Sequence, residues 1–141
     1  MKPVRSAVLH CGLCAAALFL ASIQAAWAQG SGEEAIKPVM QQPVPELPGK
    51  NVDIATVTFA PGQASSPHMH PGSIFAYVTV GHVVSQLEGS PARTYGPSEA
   101  WYEPPGAHHL VSRNASDTEP AQIVVFALAG PHDPIKTPIP H

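Results

Sequence analysis

From residue 29 onward, proline and glycine recur so closely that no stretch keeps a helical apolar period together with helix start and stop signals. The chain carries 17 prolines and 11 glycines in 141 residues. Proline removes a backbone donor and collides with the preceding helical turn, so a chain cut this often folds into short extended runs. Those runs are rich in β-branched and aromatic residues. Val52–Phe59 stops at Pro61-Gly62, Ile74–Val80 at Gly81, and His82–Glu88 at Gly89-Ser90-Pro91. Ala92–Tyr95 stops at Gly96-Pro97, Glu99–Glu103 at Pro104-Pro105-Gly106, and His108–Arg113 at a cluster of Asn, Ser and Asp. Gln122–Ala129 is the last and most apolar run. Short strands at this regular spacing predict an all-β barrel or sandwich spanning residues 51–130.

The flanks differ in character. Gln29–Lys50 holds Pro38, Pro43, Pro45 and Pro48 and reads as an extended arm laid along the barrel. Residues 131–141 form a second Pro-rich stretch, a tail whose end is expected to be mobile. The first 28 residues read as a cleaved export signal. Lys2 and Arg5 give a positive start, Ala7–Ala21 is apolar, and Ala26-Trp27-Ala28 offers small residues at the cleavage positions. The apolar core is shorter than the ~20 residues a membrane-spanning helix needs. A periplasmic or secreted location follows as an expectation.

Cys11 and Cys14 are the only cysteines, and both lie in the leader. Their C-x-x-C spacing therefore carries no redox function in the exported chain, which has no thiol and no disulfide. The full chain has a formal net charge of −3, and losing Lys2 and Arg5 makes the remainder more acidic. No basic run is interleaved with aromatics, which argues against nucleic acid as a partner. No segment after the leader has the composition to enter a membrane.

His68-Met69-His70 carries the chemistry. Residues two apart on a strand share a face, so both imidazoles can converge on one ion while Met69 points away. A third histidine from another strand would complete a three-nitrogen site, and His108 and His109 are the candidates. They follow Pro104-Pro105-Gly106, a rigid turn that fixes where their strand begins. His82, His132 and His141 read as turn and tail residues.

These residues resemble the cupin superfamily. Its first motif is a glycine, five residues, H-x-H, three or four residues, a glutamate, and six residues to a glycine. Gly62, His68, His70 and Gly81 match that frame. The second motif runs through P-x-G, two residues and a histidine, and Pro104-Pro105-Gly106 followed by His109 matches it. The resemblance implies a double-stranded β-helix, or jelly-roll barrel, and a metal held by His68, His70 and His109. Three departures stand out. Ile74 or Phe75 occupies the glutamate position, Ser98 stands where the second motif opens with glycine, and Arg113, beside Asn114, stands where an asparagine often follows.

A site of three neutral imidazoles leaves a divalent transition metal its full charge and open positions. Iron, zinc, manganese, nickel and copper all remain open. Gln86 is a candidate fourth ligand and His108 an alternative to His109. Glu88 and Glu103 are further acidic candidates, although both read as strand-end surface residues. Tyr77, Trp101 and Tyr102 are candidates to line a pocket, with barrel packing the ordinary reading for at least two of them. Arg113 is a candidate for an anionic substrate. Ser65 and Ser66 lie near His68 without a nucleophile-elbow sequence. The resulting expectation is a small metalloenzyme, with dioxygenase-type chemistry ahead of isomerase or hydrolase chemistry, or else a non-catalytic module binding a small molecule or metal. The resemblance also implies a homodimer, formed through sheet faces or exchanged arms.

Overall fold

The structure is a computed structural model that describes residues 32–139. The leader read at residues 1–28 lies outside them. Ten strands follow in order: β1 (Ala35–Pro43), β2 (Asn51–Phe59), β3 (His68–Met69), β4 (Ser73–Val80), β5 (Val83–Leu87), β6 (Arg93–Tyr95), β7 (Ala100–Glu103), β8 (His108–Asn114), β9 (Ala121–Ala129) and β10 (Thr137–Pro138). Among the described residues there is no helix, as the Pro/Gly punctuation requires.

The strands form two five-stranded antiparallel sheets. One runs β1-β2-β9-β4-β7 and the other β10-β3-β8-β5-β6. Along β2 and β9 every second residue is buried: Ala55, Val57 and Phe59, then Ile123, Val125 and Ala127. That period of two turns one face of the first sheet inward. Ile74, Ala76, Val78 and Trp101 join them from the first sheet, and Val83 closes the core from the second. The expected jelly-roll barrel is the observed fold.

Both flanks are tied to the barrel. The arm supplies β1, which pairs along β2 with a register shift at Pro38/Met40. Proline lacks a ladder donor and is tolerated here because β1 is an edge strand. The end of the tail, read as mobile, falls outside the described residues. The described part pairs Thr137 and Pro138 with Met69 and His68, adding an edge to the second sheet. Its backbone groups thereby gain partners that a free tail would leave to water.

Two local features place the site. The turn before β8 carries Gly106 at φ +73°, a conformation that favours glycine, and its N–H donates to the His70 carbonyl at 2.8 Å. This bond holds the start of β8 against the end of β3. Further along, β8 bulges against β5: Gln86 faces Val111, but Leu87 faces His109, leaving Leu110 as the extra residue. A bulge reverses the inward–outward alternation beyond it. His109 points inward, then Ser112 and Asn114 do, while Arg113 is turned out. The asparagine shifted by one position in the sequence is thus brought to the interior by the extra residue.

Candidate metal centre

His68 on β3 lies directly opposite His109 on β8, and His70 follows just beyond β3. The His68 ring centroid lies 4.9 Å from that of His70 and 5.1 Å from that of His109. All three side chains are buried, and one nitrogen from each lies within 4.8 Å of the other two. The three histidines can therefore hold a metal ion.

Backbone carbonyls set two of the tautomers. His68 Nδ1 donates to the Ser66 carbonyl at 2.7 Å, and His70 Nδ1 donates to the Ile135 carbonyl on the C-terminal segment. Each bond places the proton on Nδ1 and leaves the Nε2 lone pair free, as ligand histidines require. His109 Nε2 is 2.9 Å from the Ser85 hydroxyl on β5. Burial lowers the pKa of His68 and the neighbouring His70 and His109 lower it further, outweighing the Ser66 carbonyl, which raises it. The neutral, metal-binding form is favoured.

Glu103 corrects the sequence reading. It is not a surface residue but is buried at the end of β7, in the sheet opposite the histidines. Its Oε1 accepts a hydrogen bond from Trp101 Nε1 at 2.8 Å. Its Oε2 lies 3.1 Å from His109 Nδ1 and 3.5 Å from His70 Nε2. Burial alone pushes this carboxyl up. The contacts with His109, His70 and Trp101 outweigh burial and hold it below the ordinary carboxylate range. The signal for Glu103 was present in the sequence: it is two residues from Trp101, so the two share a face, and a core tryptophan carries the glutamate inward with it. Ser85 was missed as well. It shares its strand face with Val83, the most buried residue of β5.

The remaining candidates fall elsewhere. Gln86 donates its amide to the Ser90 carbonyl at 3.0 Å in a surface turn and is not near the histidines. His108 points away from His109 and pairs with Glu88 at 2.9 Å. Tyr77 and Tyr102 are exposed on the outer face, and only Trp101 of the three aromatics reaches the interior. Arg113 is exposed and donates to the Asn114 carbonyl. The Ser66 hydroxyl bonds Glu33.

The histidines and Glu103 line a cavity of about 50 Å³, whose other walls are mostly apolar side chains including Phe59, Ile74, Ala76 and Ile123. A water-sized site needs ~10–15 Å³ by this measure, so there is room for an ion and a few small groups. Ile135 and Lys136 lie across it. The Lys136 ammonium holds this segment to the arm by donating to the Glu33 and Glu34 carboxylates.

Comparison with known proteins agrees with this geometry. No curated protein matches the chain. Among solved structures, the DMSP lyase DddQ of Ruegeria pomeroyi DSS-3 is 20% identical with a TM-score of 0.61. The match covers 75% of this chain but only 51% of the lyase, so this chain spans about half that protein's length. A cupin-like protein of Thermotoga maritima is 23% identical with a TM-score of 0.61, covering 79% of this chain and 84% of that one. The protein TT1209 of Thermus thermophilus is 31% identical with a TM-score of 0.55, covering 70% of this chain and 87% of that one. The family model of the cupin domain matches residues 55–127, more than half of the chain and nearly the whole barrel. With its two antiparallel sheets and the histidines of both motifs facing one interior, the chain belongs to the cupin family.

Proposed function

We propose that this protein is an exported metal-binding cupin that holds one divalent transition ion through His68, His70 and His109 and presents it to a small ligand in the barrel. The observation that carries this reading is the pair of carbonyl-fixed tautomers. The Ser66 and Ile135 carbonyls each accept a hydrogen bond from an Nδ1–H, so His68 and His70 both turn an Nε2 lone pair into the same buried space. Nothing in barrel packing asks for that arrangement, whereas a cation does.

The bound ion would supply Lewis acidity and open coordination positions. The chain's own residues do the rest. Ser85 holds the His109 ring. The apolar walls exclude bulk water, and the small volume limits the ligand to a few heavy atoms beside the ion. A histidine-rich set of this kind suits iron and oxygen chemistry, so a dioxygenase-type activity on a small chelating substrate is the enzymatic form of the proposal.

A second reading is a non-catalytic binding module. It is favoured by the size of the cavity, well below the ~300–1,000 Å³ usual for small-molecule sites, and by the Ile135–Lys136 segment lying across it. Elemental analysis of untagged protein tests the shared claim. We expect near-stoichiometric transition metal, and protein purified without a bound ion that also fails to take one up would overturn it. Oxygen uptake with small chelating substrates, lost in His70→Ala, would decide for the enzyme over the module. N-terminal sequencing of the exported protein should begin at Gln29.

A further inference from the structure

We propose that Glu103 is a fourth protein ligand of this centre, a carboxylate delivered from the sheet facing the histidines. The inference rests on the metal-binding reading above and adds the charge and the donor set of the site.

Glu103 Oε2 is buried and has no hydrogen-bond partner, and the same is true of His109 Nδ1, 3.1 Å away. A buried carboxylate oxygen without a partner is costly, and side chains rotate to avoid it. Rotation is blocked here because the other oxygen is held by Trp101 Nε1 at 2.8 Å. Trp101 therefore aims Oε2 into the histidine cluster. There it meets His70 Nε2 at 3.5 Å. With the His70 proton on Nδ1, committed to the Ile135 carbonyl, that nitrogen presents a lone pair. Two electron-rich atoms thus face one another in a buried space. A metal ion between them turns this repulsion into coordination, and the one Lys or Arg among the residues lining the cavity, Lys136, is occupied by Glu33 and Glu34.

The sheet register supplies an independent line. Ile74 stands where the first motif would place its glutamate, and Glu103 is the residue directly opposite Ile74 in the β4–β7 pairing. The carboxylate has moved one strand sideways within the same wall, and both positions face the same cavity. The departure noted in the sequence at Ile74 is therefore compensated one strand away. Three imidazoles and one carboxylate leave a net charge of +1 with a divalent ion. This set suits ions that accept hard oxygen donors, such as Fe(II), Mn(II) and Zn(II), better than Cu(I).

The test is a structure of the Zn(II)-loaded wild-type protein together with Zn(II) titrations of metal-stripped wild type, Glu103→Gln and Ile74→Glu/Glu103→Gln. We expect a Glu103 oxygen at about 2.0–2.2 Å from zinc, and a loss of affinity of about tenfold or more in Glu103→Gln, recovered at least in part by the added Glu at position 74. The wild-type structure does not depend on any variant folding. It also separates a ligand from a residue that merely orients His109, which would weaken affinity too. Zinc bound by the histidines with Glu103 beyond bonding distance, or unchanged affinity in Glu103→Gln, overturns the proposal and leaves the three-histidine site standing. Wild-type protein that binds no zinc overturns both.

Discussion

His108 with Glu88 and His109 with Glu103 are the same two residue types, and their histidines are neighbours on one strand. They differ in what solvent decides. The outer pair is 2.9 Å apart with side chains 33% and 65% exposed. The inner pair is 3.1 Å apart with side chains 2% and 3% exposed. Outside, water stabilises both groups separately, and such a pair contributes only ~0–1 kcal/mol. Inside, electrostatic interactions are several-fold stronger and leaving an oxygen unpartnered is costly. Strand parity, rather than the residue pair, makes one a surface contact and the other a candidate site.

The largest expected difference lies in the metal. His109→Ala should abolish the zinc uptake that His108→Ala leaves intact, measured by isothermal titration. At a free ion concentration a hundred times Kd, binding stabilises the native state by about 2.7 kcal/mol. Chelation should therefore lower the melting temperature of wild type and His108→Ala but not of His109→Ala. Loss of the ion in His108→Ala would break the comparison.

The same inner–outer contrast continues past the bulge. Asn114 donates to the Ala60 and Glu119 carbonyls and accepts from the Ser116 N–H. Asn114→Ala strands these buried groups and should cost about 3 kcal/mol in urea denaturation. Arg113→Ala should change stability by less than about 0.5 kcal/mol.

A smaller effect of opposite sign is expected at Ser98, which sits at φ +70°. A side chain in that conformation costs about 1–2 kcal/mol, so Ser98→Gly should stabilise the fold by about 1 kcal/mol. Unchanged or lowered stability would show that the serine side chain makes a compensating contribution.

The smallest effect concerns the exposed clasp. Hydrogen bonds from Lys136 and Ser66 lower the Glu33 carboxyl to about 2. Because the folded value is below the ordinary 4.5, the stabilisation is complete above pH 4.5 and fades as pH falls toward about 2. Burial pulls the Lys136 ammonium down, but Glu33 and Glu34 outweigh it and raise it, so its contribution fades only above its ordinary 10.5. The protection factor of the Thr137 amide, its exchange relative to the intrinsic rate at each pH, should fall below pH 4.5, and Lys136→Met should remove most of that acid dependence. Much of the effect is screened, since the Glu33 side chain is 52% exposed.

The barrel was legible because its signals are local. Gly and Pro stops bound the strands, and period-two burial along β2 and β9 follows from their residues alone. His68, His70 and His109 were legible because their spacing survives in the chain. Glu103 was legible only in part. Its spacing from Trp101 puts the two on one face, but which face of β7 turns inward, and its relation to Ile74, exist only through cross-strand register. Arg113 misled for a related reason: a single extra residue at Leu110 inverted the parity of the strand's second half. The pairing of Thr137 and Pro138 with Met69 and His68 was not legible because two residues leave no mark on composition.

That tail has a consequence for biogenesis. The carbonyl that orients His70 belongs to Ile135, 65 residues further along the chain. A ribosome that has delivered both motifs has still not delivered the acceptor that fixes this imidazole. Chains broken off before residue 135 keep all three histidines yet lack that acceptor. The geometry proposed to hold the ion is thus complete only once the segment carrying Ile135 has been made.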